Sequence, residues 1–168
     1  MDPNLIVSYS SSGGYMSGKS EIQNLLTKLG DQKAEQELLA PGIIGVATVL
    51  KSRDVIEELR ELSASDPESI KFTTKWIPAD FWCEATVESI KNTIKEEIKD
   101  LILADDQYML EILPHRTSLK PESIIEALRP WIRGKINIER PQKIVRIELF
   151  DNKASITLLK PKDLFFRE

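Results

Sequence analysis

Apolar residues recur along the chain in two rhythms. An unbroken run from Asn4 to Tyr9 reads as a buried strand. Ile22, Leu25, Leu26 and Leu29 then fall at i, i+3, i+4 and i+7, which predicts a helix over Glu21 to Leu29 that Gly30 ends. Lys33 to Leu39 and Ile43 to Leu50 read as two strands around Pro41-Gly42, where Pro fixes φ and Gly accepts a positive φ. Ser52 to Ser63 predicts a second helix with Val55, Ile56, Leu59 and Leu62 on one side, and Ile70 to Ile77 a fourth strand. The order strand, helix, strand, strand, helix, strand is the ferredoxin-like arrangement, with helices on one face of an antiparallel sheet.

The pattern restarts after Pro78-Ala79-Asp80, a short join flanked by Trp76 and Trp82, both expected to pack between domains. Thr86 to Leu103 predicts the strongest helix, with Val87, Ile90, Ile94, Ile98, Leu101 and Ile102 on one stripe. Tyr108 to Leu113 alternates as a strand. Pro121 suits the first turn of a helix carrying Ile124, Ile125 and Leu128, which Pro130 and Gly134 bring to an end. Ile144 to Phe150 and Ala154 to Leu159 predict a hairpin around Asp151-Asn152-Lys153. The expectation is an α+β chain, with a ferredoxin-like domain over residues 1–77 and a second domain over 78–168.

Composition narrows the class of protein. Hydrophobic residues at 41% and charged residues at 30% are those of an ordinary globular chain. No apolar run reaches the length of a membrane span and no signal-peptide pattern opens the chain, so a cytoplasmic protein without a membrane partner is expected. One cysteine, Cys83, and one histidine, His115, supply no usual zinc ligand set, and Cys83 is expected to be buried structure. The net charge of −4 conceals an asymmetry: residues 1–106 carry 11 Lys and Arg against 19 Asp and Glu, whereas residues 107–168 carry 12 against 8. A basic third within an acidic chain is a hint of a polyanionic ligand.

Gly13-Gly14-Tyr15-Met16-Ser17-Gly18-Lys19-Ser20 matches the phosphate-loop pattern G-x-x-x-x-G-K-[ST] between a strand and a helix. Such a loop would make the chain an ATP- or GTP-binding enzyme, the main alternative. Against it stand the hairpin around Pro41-Gly42, where a nucleotidase needs parallel strands, and the lack of a metal-holding carboxylate after a second strand. The bland account is a capping box made by Ser20 and Gln23 after a glycine turn. Glu96-Glu97 and Asp105-Asp106 read as solvated charge, and neither His115 nor Ser10-Ser11-Ser12 has the neighbours of a nucleophilic site. No catalytic residue, cofactor or metal is expected.

Asn4-Leu5-Ile6-Val7-Ser8-Tyr9, Gly13-Gly14-Tyr15, Leu29-Gly30-Asp31 and Pro41-Gly42-Ile43-Ile44-Gly45-Val46 resemble the opening of the THUMP-domain adaptors of tRNA cytidine acetylation. Thr74-Lys75-Trp76-Ile77-Pro78 with Asp80 and Trp82, His115-Arg116, Gly134-Lys135-Ile136-Asn137-Ile138 with Pro141, and Leu159-Lys160-Pro161-Lys162-Asp163 continue the likeness in order. The resemblance implies a ferredoxin-like domain joined to a THUMP domain that recognises the tRNA acceptor region and 3′ end. With no catalytic domain following, it implies a non-enzymatic adaptor that presents tRNA to a cytidine acetyltransferase in trans. Arg116, Lys120, Arg129, Arg133, Lys135, Arg140, Lys143 and Arg146 lie in the basic third and are the expected RNA contacts, to phosphate and sugar. Trp131 among them would either stack an unpaired base or serve the core. A protein-interaction scaffold using sheet edges is a third possibility.

Overall fold

The structure is a computed structural model and describes residues 1–167, which divide into two compact units: Met1–Ala79 with the segment from Lys162 on, and Asp80–Pro161. In the first unit, β1 (Leu5–Tyr9) leads into α1 (Gly14–Leu29), the hairpin β2 (Glu35–Ala40) and β3 (Ile43–Ala47), then α2 (Ser52–Ser65) and β4 (Thr73–Pro78). The order β4-β1-β3-β2, antiparallel throughout, is the expected ferredoxin-like sheet. Ile22, Leu25 and Leu26 of α1 and Val55, Ile56 and Leu59 of α2 bury one helical stripe each against Leu5, Val7, Ile44, Val46 and Trp76. Trp76 is thus fully buried inside this core, where its indole N–H donates to Thr73 Oγ1 at 2.9 Å.

Helix α1 starts at Gly14, well before Glu21, and this removes the expected capping box. Ser20 lies in the middle of the helix, and Gln23 Nε2 donates to Thr27 Oγ1 and to the Gln32 carbonyl. Two unforeseen carboxylates tie this unit together. Glu21 accepts from the backbone N–H groups of Lys71, Phe72 and Thr73, pinning α1 to the start of β4. Asp31 accepts from Thr48 Oγ1 and from the N–H groups of Lys33 and Val49. The Thr48 hydroxyl holds the Asp31 carboxyl below the usual carboxylate range, against the opposing effect of burial.

The second unit begins with β5 (Phe81–Glu84), followed by α3 (Val87–Thr93), one π-helical turn (Ile94–Ile98) and one 3-10 turn (Lys99–Leu101). The uninterrupted helix expected to Leu103 is therefore broken, for a geometrical reason. Ile90, Ile94, Ile98 and Ile102 repeat every fourth residue and all are fully buried. At 3.6 residues per turn an α-helix rotates such positions by about 40° at each step, carrying the last ones off the core face. The wider turn, closed by Lys99 N–H to Ile94 O, keeps the four isoleucines in line.

After this helical segment come β6 (Gln107–Pro114), α4 (Pro121–Leu128), a 3-10 turn (Arg129–Trp131), β7 (Lys135–Ile136), β8 (Lys143–Leu149) and β9 (Lys153–Leu159). The sheet order is β5-β9-β8-β6-β7, with β6 parallel to both its neighbours. The core joins the isoleucines to Ile124 and Leu128 of α4 and to Tyr108, Val145, Ile147, Leu149, Ala154 and Ile156 of the sheet. Cys83 is half-buried against this core, and burial pushes its thiol up.

The chain then returns to the first unit. β10 (Phe165–Phe166) pairs antiparallel with β4, Phe165 opposite Trp76, giving the order β10-β4-β1-β3-β2. The Arg60 guanidinium holds the return by donating to the carbonyls of Lys162 and Leu164. The expected division into 1–77 and 78–168 is corrected accordingly: the last residues complete the first sheet, because Phe165 buries its ring in the first core.

Candidate nucleic-acid interface

Strand β6 sets the geometry of the basic third. Its eight residues span about 23 Å at 3.3 Å per residue. At the Gln107 end, Lys135 N–H donates to Asp106 O and Gln142 N–H to Gln107 O, which brings the segment from Arg129 to Lys143 to this end. At the Pro114 end, the N–H groups of His115 and Arg116 both donate to Leu149 O, and Lys120 starts α4 on its way back. The eight cations expected to form one site are thus divided between two ends of a sheet, with Arg146 between them.

Two of the eight have structural duties. Arg146 points into a buried face of β8, where its side chain is 6% exposed. Its Nε donates to Glu148 Oε2 at 3.2 Å and its Nη1 to Glu111 Oε2 at 2.9 Å, while His115 Nε2 lies 2.8 Å from Glu148 Oε1. Burial alone would raise Glu148; the His115 hydrogen bond and the Arg146 charge outweigh it and hold the carboxyl below its ordinary range. Lys143 Nζ donates to Leu101 O and Asp106 Oδ2, both at 2.6 Å, and this contact keeps the Asp106 carboxyl low. Both cations are thus paired, Arg146 with a buried carboxylate and Lys143 with a partly exposed one.

The other six are exposed. Arg116 Nε lies 4.0 Å from Asp151 Oδ1, both side chains facing solvent. Arg129, Arg133, Lys135 and Arg140 make no side-chain hydrogen bond or ion pair with the described residues, and all four lie at the Gln107 end. Asn137 shapes this segment by accepting from the N–H groups of Glu139 and Arg140 at 3.1 Å.

Gly134 places the segment on the sheet. Its φ is 99°, and a Cβ there would lie 2.7 Å from Asp106 O. Gly134→Ala is expected to cost about 1–3 kcal/mol from the left-handed backbone and the clash. It should also displace Lys135 from its pairing with Gln107; full thermal stability in this variant would sink the account.

Sequence reasoning missed Lys95 and Lys99. From the π-helical turn and the 3-10 turn after it, their ammoniums lie 4.0 and 5.8 Å from the centre of the half-buried Trp131 ring. The indole is therefore covered by a cation. On the far side of the unit, Phe150 stacks on His115 at 5.1 Å and lies 6.0 Å from Trp82.

The phosphate-loop pattern has a different origin here. Gly14 to Ser20 is helix, so no loop of free N–H groups is left to wrap a phosphate. A Cβ on Gly18 would sit 2.8 Å from Tyr9 Cβ, and one on Gly13 would run into the Phe72 ring, so both glycines are required by helix-to-strand packing. Among the described residues, no group of three or more His, Cys, Asp or Glu could hold a metal, and no helix is long and apolar enough to cross a membrane.

No family model and no curated protein matches the chain. Solved structures do. PH1313 from Pyrococcus horikoshii is 17% identical with a TM-score of 0.63, over 95% of this chain and 54% of that one. A 4-thiouridine synthetase, solved in complex with RNA and with bound ATP, is 12% identical with a TM-score of 0.56, over 95% of this chain and 41% of that one. TrmN from Thermus thermophilus is 11% identical with a TM-score of 0.56, over 94% of this chain and 46% of that one. The chain spans about half the length of these proteins. Its fold is the expected α+β arrangement, a ferredoxin-like unit followed by a second α+β unit, and it is shared with these structures over nearly its whole length.

Proposed function

We propose that this chain binds tRNA and serves as a non-enzymatic adaptor, presenting it to a cytidine acetyltransferase carried on another polypeptide. The observation that carries RNA binding is the group Arg129, Arg133, Lys135 and Arg140: four exposed cations without carboxylate partners among the described residues, collected at one end of the second unit's sheet in a chain of net charge −4. The fold shared with an enzyme solved in complex with RNA supports the same reading. The acceptor region and 3′ end as the part recognised, and the acetyltransferase as partner, rest on the sequence resemblance. Arg116 and Lys120, on the other end of the unit, would touch a more distant part of the same RNA.

Such contacts release counterions. The log of tRNA affinity should fall with the log of salt concentration, with a slope on the order of −3 for four phosphates, and each Arg→Ala change among the four should reduce that slope by about 1. Affinity independent of salt, or unchanged in Arg129→Ala/Arg140→Ala, would refute the site. The adaptor role is tested separately: acetylation of tRNA by the partner enzyme should require this chain and drop in the same double variant.

A further inference from the structure

We infer that Lys95 and Lys99, fixed on Trp131, form a phosphate clamp with Arg129 and Arg133, so that the RNA footprint includes the π-helical turn of the acidic part of the chain. The inference rests on the RNA-binding reading and extends it to residues on another element.

Three observations converge. The two ammoniums lie 4.0 and 5.8 Å from one indole centre, so they are held within about 10 Å of each other. Neither makes a hydrogen bond or ion pair with the described residues, although Glu96, Glu97 and Asp100 in the same turns are available in sequence. Two like charges fixed over one ring repel each other, and an anion between them relieves that repulsion. Trp131 itself sits two residues in sequence from Arg129 and two from Arg133, both exposed and without a hydrogen bond or ion pair among the described residues, so the two lysines on the ring and the two arginines flanking it bring four positive groups to one stretch of the unit.

The π-helical turn is the second link in the argument. It keeps Ile94 and Ile98 in the core, and the residues between and after them carry the two ammoniums to Trp131. Turns of this kind are uncommon and occur often where function demands a local departure from the α-helix. Trp131 then has a role distinct from stacking on a base. The indole face nearest Lys95 is occupied by its ammonium, and the ring serves to position cations. The ligand chemistry is the phosphate group, supplied by the RNA backbone or by a free polyphosphate.

The test uses the whole chain and two probes, tRNA and inorganic tripolyphosphate. Lys95→Ala/Lys99→Ala should lower tRNA affinity at least tenfold at low salt and make the log-log salt slope shallower by roughly 1.5 to 2. Lys95→Arg/Lys99→Arg should restore most of the affinity. Trp131→Leu keeps the charges but frees them, so affinity should fall several-fold with the slope retained, a pattern that loss of fold would not give; melting curves check folding. If native protein binds tRNA with salt dependence and the double alanine variant does so equally, the clamp is overturned and the RNA reading stands. If native protein binds no tRNA, the RNA reading fails. The clamp then stands only if tripolyphosphate shifts the Trp131 indole N–H resonance and the double variant abolishes that shift; absence of the shift overturns it.

Discussion

Arg146→Ala is expected to lower the stability of the second unit by about 3–5 kcal/mol, the range for breaking a buried ion pair from one side. The guanidinium bridges Glu148 and Glu111, and Glu148 is 3% exposed. Removing it leaves Glu148 with the His115 contact alone, in a position where an uncompensated carboxylate costs several kcal/mol. Arg146→Lys should recover only part of the loss, since one ammonium cannot reproduce the two directed bonds. Denaturant unfolding of the variants measures the effect. A change below 1 kcal/mol, together with weakened tRNA binding, would return Arg146 to the RNA site. The lowered carboxyls of Glu148 and Asp31 give a matching pH dependence. Their contribution is complete above the unfolded carboxylate pKa of about 4 and disappears as pH falls through the depressed folded values, so acid should unfold both units.

Glu21→Ala should destabilise the first unit by about 3 kcal/mol or more. The carboxylate accepts from three consecutive backbone donors, at 2.5 Å to Lys71 N, 3.0 Å to Phe72 N and 2.6 Å to Thr73 N, and is 9% exposed. Charge-assisted bonds of this kind contribute more than neutral ones, and their loss strands three N–H groups near the core. Glu21→Gln should rescue little, because an amide offers one accepting oxygen and turns its NH2 toward the remaining donors. The readout is the unfolding transition of the first unit. A loss under 1 kcal/mol would mean that water replaces the carboxylate without cost.

Where burial follows a repeating period, the sequence was readable. The apolar rhythm located β1, β3, α2, β8 and β9, and the order of elements led to the ferredoxin-like unit. Short strands escaped, because β5, β7 and β10 have four, two and two residues and owe their state to a neighbouring strand. The first two turns of α1 escaped for the opposite reason: Gly13, Gly14 and Gly18 are poor helix formers retained because Phe72 and Tyr9 approach closely at Gly13 and Gly18. The π-helical turn left a trace that stripe counting overlooks, the strict fourfold spacing of Ile90, Ile94, Ile98 and Ile102. Charge was the least legible feature. Arg146 and Glu148 alternate with Val145, Ile147 and Leu149 in a central strand, a context that already implies paired burial, whereas nothing in the sequence distinguishes Lys143 from Lys135.

The return of the chain through β10 makes the second unit the loop of a hairpin. β4 and β10 are adjacent antiparallel strands, and all of Asp80–Pro161 is strung between them. An unstructured loop of that length costs about 2–3 kcal/mol more to close than an ordinary hairpin turn of a few residues. Once folded, the second unit holds its own two ends at fixed separation and removes that cost before Phe165 docks. The stability of the first sheet's edge is therefore linked thermodynamically to the folding of the second unit through chain connectivity alone. Any ligand that stabilises the second unit should slow hydrogen exchange at the Arg167 amide, which is bonded to Thr74 O across the strand pair.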